Sequence, residues 1–244
     1  MLTEDTISKL RGMKLPIMAQ QYNEQITNQS FFGISFEDRV GMMVDSEWST
    51  RKSNRLTKLV KDADFDISKA CIEDIVYHPE RKLDRTQIMR LSNCEYITEA
   101  RSILILGATG VGKTYLACAL GVSACRNFYS VKYVRLPELL AELAYARASN
   151  NYRSVIQRYQ KVKLLIIDDW LIYPMTKQES YELLEIVVAR HNRGSSIFCS
   201  QFSTDGWHAT IGNEALADAV CDRIVNNSYK IVIAGDSMRK RSSL

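Results

Sequence analysis

Residues 103–114 read Ile103-Leu104-Ile105-Leu106-Gly107-Ala108-Thr109-Gly110-Val111-Gly112-Lys113-Thr114, four apolar residues running straight into G-x-x-x-x-G-K-[ST]. A short apolar strand followed by that pattern is the phosphate-binding P-loop. Its glycines let the backbone curl until successive N–H groups point inward at phosphate oxygens. Lys113 places a positive charge on the β- and γ-phosphates, and the Thr114 hydroxyl is an expected Mg²⁺ ligand. Leu116, Ala117, Ala119 and Leu120 continue as a helix over 113–126, whose N-terminus faces the anion. The expected cradle is therefore Gly107, Ala108, Thr109, Gly110, Val111, Gly112, Lys113, Thr114 and Tyr115.

Around this loop, strands and helices alternate from residue 101 onward. Strands are expected at Ile103–Leu106, Val131–Arg135, Leu164–Ile167, Ile197–Ser200 and Tyr229–Ile233. Helices are expected at 138–148, with Pro137 at the first turn, and at 150–161, 176–192 and 213–225. Five short apolar strands separated by helices predict a parallel sheet covered on both faces. A ligand then sits at the carboxyl ends of the strands, where the P-loop is. Upstream, residues 1–70 read as a small all-helical domain: Phe36, Val40, Met43 and Val44 recur at helical spacing, and Ser35 before Glu37 and Asp38 resembles a helix start. Residues 71–100 have no clear period and read as a connector to a nucleotide-binding domain at 101–244.

A second signal is Lys163-Leu164-Leu165-Ile166-Ile167-Asp168-Asp169, a buried strand delivering acids to its tip, as in Walker B. Asp168 is expected to hold Mg²⁺ together with Thr114, and Asp169 to orient or deprotonate the attacking water. Asp169 is one methylene shorter than the glutamate usual in AAA+ enzymes. A displacement of about 1 Å can cost on the order of a hundredfold in rate, so ATP binding is expected with slow or stimulated hydrolysis. Strand four ends in Cys199-Ser200-Gln201, where Gln201 or Ser200 can sense the γ-phosphate. Arg223, at the end of an apolar helix, fits a finger reaching a neighbouring subunit's ATP. Arg239 is a candidate second phosphate sensor.

The bulk numbers exclude other classes. The chain has 244 residues, 46% hydrophobic and 25% charged, with a net charge of +4. Apolar runs are too short to span a membrane, and the N-terminus shows no secretion signal. Six cysteines without a C-x-x-C pair are expected to be reduced thiols in a cytoplasmic protein. Charge is balanced over residues 1–90, while 101–244 carries 18 basic against 12 acidic side chains, which permits a nucleic-acid partner. Residues 51–61 hold Arg51, Lys52, Arg55, Lys58 and Lys61 with no acid, beside an apolar stripe of Trp48, Leu56, Leu59 and Val60. Such a basic edge gives salt-sensitive, sequence-blind contact with phosphates, which makes Arg51, Lys52, Arg55 and Lys58 the candidate DNA contacts. A second basic group, Arg147, Arg153, Arg158, Lys161 and Lys163, could line a channel between subunits.

Taken together, these segments resemble the IstB family, the ATP-binding helpers of a class of bacterial insertion sequences, and more distantly the helicase loader DnaC. The likeness is carried by KLPIMAQQYNEQ at 14–25, SFEDRVGMMVDSEWSTRKSNRLTKLVKDADF at 35–65, LDR at 83–85, GATGVGKTYLACALG at 107–121, LLIIDDW at 164–170, RGSSIFCSQFSTDGWH at 193–208, ADAVCDRIVNNS at 217–228 and GDSMR at 235–239. It implies an AAA+ ATPase of the helicase-loader clade that forms a ring or spiral of copies on duplex DNA and works with a DDE-type transposase. It also implies that aspartate is usual at position 169. Gln201 departs from the asparagine common in the family, and with eleven residues after Ile233 the separate AAA+ lid is expected to be missing. The competing readings are a helicase loader, which would prefer single-stranded DNA, and a small-metabolite kinase, for which no substrate-binding acid or arginine lid is evident.

Overall fold

The computed structural model describes residues 2–238, and the chain divides into two compact units, Met1–Lys58 and Leu59–Leu244. The first is helical: α1 (Leu2–Gly12), α2 (Pro16–Thr27) and most of α3 (Phe36–Ala63). Ser35 caps α3 by accepting the Asp38 N–H at 3.1 Å. The first turn of α2 has no side-chain cap of its own. Glu47 of α3 supplies it, accepting the N–H groups of Ile17 at 2.9 Å and Met18 at 3.0 Å. Its other oxygen takes the Arg51 Nε at 2.7 Å, so a buried carboxylate is fully bonded and paired.

Residues 59–100, which read in the sequence as the end of one domain and a connector, count with the second unit. Its elements are α4 (Arg85–Ser92), α5 (Glu95–Thr98), β1 (Ser102–Leu106), α6 (Lys113–Arg126), β2 (Val131–Arg135), α7 (Leu136–Ala148), α8 (Tyr152–Lys161), β3 (Leu164–Asp168), α9 (Lys177–Arg190), β4 (Ser195–Ser200), α10 (Trp207–Ile211), α11 (Glu214–Val225) and β5 (Ser228–Val232). Asp84 caps α4 through the N–H groups of Thr86 and Gln87, and the helix buries Ile88 and Leu91. It packs on α6, which is why this stretch belongs to the second unit.

The five strands form one parallel sheet in the order β2-β3-β4-β1-β5. Alternation along each strand sorts its side chains to two faces. Leu104, Leu106, Val134, Leu165, Ile167 and Phe198 face a core built with α7, α8, α9, α10 and α11, where Trp170 and Trp207 are fully buried. Residues of the other parity, such as Ile166, meet α6. That helix comes close because Gly121 has no side chain: a Cβ there would lie 2.5 Å from Phe65 and 2.7 Å from Ile166. No helix among the described residues is long and apolar enough to cross a membrane. All six cysteines are free and five are buried. Burial pushes the Cys118 and Cys125 thiols up to about 12, which keeps them protonated and unreactive.

Candidate functional site

The chain leaves β1, turns through residues 107–112 and enters α6 at Lys113. Gly112 takes φ 97°, a left-handed conformation at the helix N-cap that glycine adopts without strain. Below it, Arg81 donates from Nη2 to the Val111 carbonyl at 2.9 Å, and a Cβ on Gly112 would lie 2.9 Å from that nitrogen. The backbone N–H groups of Ala108, Thr109, Gly110, Val111 and Gly112 find no acceptor among the described residues. Open backbone donors at a helix N-terminus suit an anion. Lys113 Nζ lies within the loop, donating to the carbonyls of Gly107 at 2.8 Å and Ala108 at 2.9 Å.

The sheet order sets β4 between β1 and β3, so the acids at the end of β3 reach the P-loop across one strand. Thr114 Oγ1 donates to Asp168 Oδ2 at 2.6 Å. Asp168 is buried, and its Oδ1 accepts the Asp169 N–H at 2.8 Å. Two hard oxygen donors at the mouth of a phosphate cradle suit Mg²⁺. Gln201 also comes to the loop, accepting from Thr109 Oγ1 at 2.8 Å.

Four residues expected at the site hold other partners in this structure. Asp169 does not point at the cradle. Its backbone is left-handed, with φ 52°, and its carboxylate turns toward the sheet edge, where Arg135 at the end of β2 holds it with Nε at 2.7 Å and Nη2 at 2.5 Å. The carboxylate in turn holds the Arg135 guanidinium above its usual range. Ser200 is structural: its Oγ donates to the Trp170 carbonyl at 3.1 Å and accepts from Trp207 Nε1. Tyr115 turns from the phosphates, its hydroxyl accepting the Cys71 N–H at 3.3 Å. Arg51 is tied to Glu47 and to the Lys14 carbonyl, as part of the α2 cap. Arg239 lies outside the described residues.

Residues 8–244 match the profile of the family described as IstB-like ATP binding protein. The chain belongs to that family. A protein of Sinorhizobium fredii named as an insertion sequence ATP-binding protein is 39% identical over 98% of this chain and 98% of its own. The ATP-binding protein of insertion sequence IS1162 in Pseudomonas fluorescens is 37% identical over 82% of this chain and 87% of its own. Among solved structures, the DnaC helicase loader superposes with a TM-score of 0.58 at 18% identity, covering 67% of this chain and 96% of that one. That likeness is one of fold: a P-loop sheet of AAA+ type with helices on both faces.

In this IstB-like chain the remaining expected residues stand away from the cradle. Arg223 folds back on α11, donating to the Ala219 carbonyl at 2.7 Å, and lines a small cleft with Ser102, Asn192 and Asn227. That cleft is where the strands begin, so the length of a five-residue strand, about 15 Å, separates Arg223 from its own P-loop. On the first unit, Lys52, Arg55 and Lys58 are exposed. Trp48, expected among apolar neighbours, is 59% exposed, with the Lys52 ammonium 5.0 Å from its ring centre. In the second basic group Arg147 is paired with Glu182 and Arg158 with Glu142, and Lys161 donates to the Gln157 side-chain oxygen. Sequence reading missed Arg81, Tyr133 and Arg135. The position of Arg135 at a strand's carboxyl end, two residues after Tyr133, was the available signal.

Proposed function

We propose that this chain is an ATP-dependent, DNA-binding regulator of transposition in the bacterial cytoplasm. It binds ATP and Mg²⁺ at the P-loop, assembles as a homo-oligomer on duplex DNA with little regard to sequence, and recruits or activates a DDE-type transposase for target insertion. The observation that carries this reading is the Thr114–Asp168 pair beside five open backbone donors, in a chain that aligns end to end with insertion sequence ATP-binding proteins. Lys113 would hold the β- and γ-phosphates, and Thr114 and Asp168 the metal. When bound, Mg²⁺ neutralises charge on the phosphate oxygens. Gln201, bonded to Thr109, would respond to the γ-phosphate. Arg223, remote from its own site, would complete a neighbour's. Lys52, Arg55 and Lys58 would meet DNA phosphates, with Arg51 shaping the helix pair behind them.

The test is binding to matched duplex and single-stranded DNA, with and without non-hydrolysable ATP, followed by particle size. ATP-dependent growth on duplex DNA is the expected result. A preference for single strands would replace this reading with a helicase loader, and no DNA binding in either nucleotide state would end both.

Asp169 would act as the base for the attacking water once it leaves Arg135. The pair is half exposed on the arginine side, at 52%, so its strength is about 1 kcal/mol. Arg135→Ala is therefore expected to raise unstimulated ATP hydrolysis roughly fivefold at unchanged ATP affinity. A steady-state phosphate-release assay without DNA checks it, and a fall in rate would mean that Arg135 supports the base.

A further inference from the structure

Strand β2 carries no part of the phosphate loop, yet it sends a second side chain to the β3 acids. In the parallel register Tyr133 stands beside Ile166 and Arg135 beside Asp168. Tyr133 and Asp168 are diagonal neighbours on the face that meets α6. The Tyr133 hydroxyl donates to Asp168 Oδ2 at 3.0 Å, and both residues are buried, at 6% and 4% exposure. The same oxygen takes the Thr114 hydroxyl at 2.6 Å, and Oδ1 takes the Asp169 N–H at 2.8 Å. Three donors thus hold the carboxylate. Two of them belong to the loop helix and to the acid's own chain. Tyr133 is the one that reaches across from another strand.

Resting on the nucleotide-site reading above, we propose that Tyr133 is a positioning residue for Asp168, holding its carboxylate in the orientation that serves Mg²⁺. Groups bonded behind a metal-binding carboxylate usually change metal affinity by 10–100-fold when removed. At neutral pH a phenol is a neutral donor. Its ring fills the space between sheet and helix, and the hydroxyl is what phenylalanine lacks.

The experiment is a Mg²⁺ titration of binding of a fluorescent ATP analogue by the full chain. Tyr133→Phe is expected to bind the analogue without metal as the wild type does, and to need roughly tenfold more Mg²⁺ at the midpoint. Tyr133→Met, which also lacks the hydroxyl, is expected to shift the midpoint the same way. In an Asp168→Asn background, adding Tyr133→Phe is expected to change nothing further, because the two act as one unit. An unshifted midpoint, or an equal shift in both backgrounds, overturns the assignment while leaving the nucleotide site in place. Failure of the wild type to bind the analogue at all overturns the nucleotide reading itself.

Discussion

Lys113→Ala is expected to weaken ATP binding by about a hundredfold while the protein stays folded. The ammonium already lies inside the loop, bonded to the carbonyls of Gly107 and Ala108. A bound phosphate would compete with those carbonyls for the ammonium. A charge-assisted hydrogen bond contributes about 1.5–3 kcal/mol, and a contact to the β- and γ-phosphates together reaches about 3 kcal/mol, or a hundredfold. The residue is half-buried on the first turn of α6, and its removal leaves the sheet core untouched. Titration with a fluorescent ATP analogue measures the loss. Affinity within threefold of the wild type would show that this loop is not the phosphate site.

Arg190→Ala is expected to destabilise the second unit by about 3–5 kcal/mol. Arg190 is 3% exposed at the end of α9. Its Nε donates to Ser196 Oγ at 3.0 Å, and Nη1 to the carbonyls of Tyr159 at 2.9 Å, Gln160 at 3.3 Å and Val162 at 2.7 Å. Nη2 reaches the carbonyls of Lys163, at 3.4 Å, and Ser195. One guanidinium thus ties the end of α8 to the starts of β3 and β4. Burial pulls its pKa down to about 10, so it is still charged at neutral pH. Alanine would leave several buried carbonyls without donors, and each costs about 1–3 kcal/mol if water cannot reach it. The melting temperature should fall by about 10 °C or more. Lysine should recover part of the loss, since it keeps the charge but cannot fan out to so many acceptors. A melting curve of Arg190→Ala matching the wild type would rule out this role.

The features legible in the sequence were those encoded within a few residues. The P-loop, the acid-tipped strand and helix α6 are local patterns, and β2 and α6 fall where the periodicity puts them. Strand β4 begins two residues earlier than its apolar run because Ser195 and Ser196 are buried polar residues with partners elsewhere: Ser195 Oγ donates to the Tyr96 carbonyl, and Ser196 Oγ accepts from Arg190. Helix α4 was hidden by its eight-residue length, although the Asp84 cap was in plain view. The partners of Tyr133, Arg135 and Arg81 were not legible, although the place of Arg135 at the end of a strand was. Each acts through a residue about 30 positions or more away, across a strand register or beneath a loop. Arg51 was the avoidable error, since Glu47 stands four residues before it, at the spacing of a helical ion pair.

The cradle at one end of the sheet and Arg223 at the other give the molecule a front and a back. If the back of one copy completes the front of the next, copies queue head to tail, a contact that closes only when the rotation per step allows it. In an open queue one terminal copy keeps a cradle that no neighbour serves. Under the proposed function that unserved terminus would hold ATP without the means to turn it over quickly, and growth and shrinkage would run from opposite extremities. A symmetric protein could lie on DNA facing either way. Copies queued in that way on DNA would all point in one direction, and a partner arriving at the queue would meet a different surface according to the side it came from.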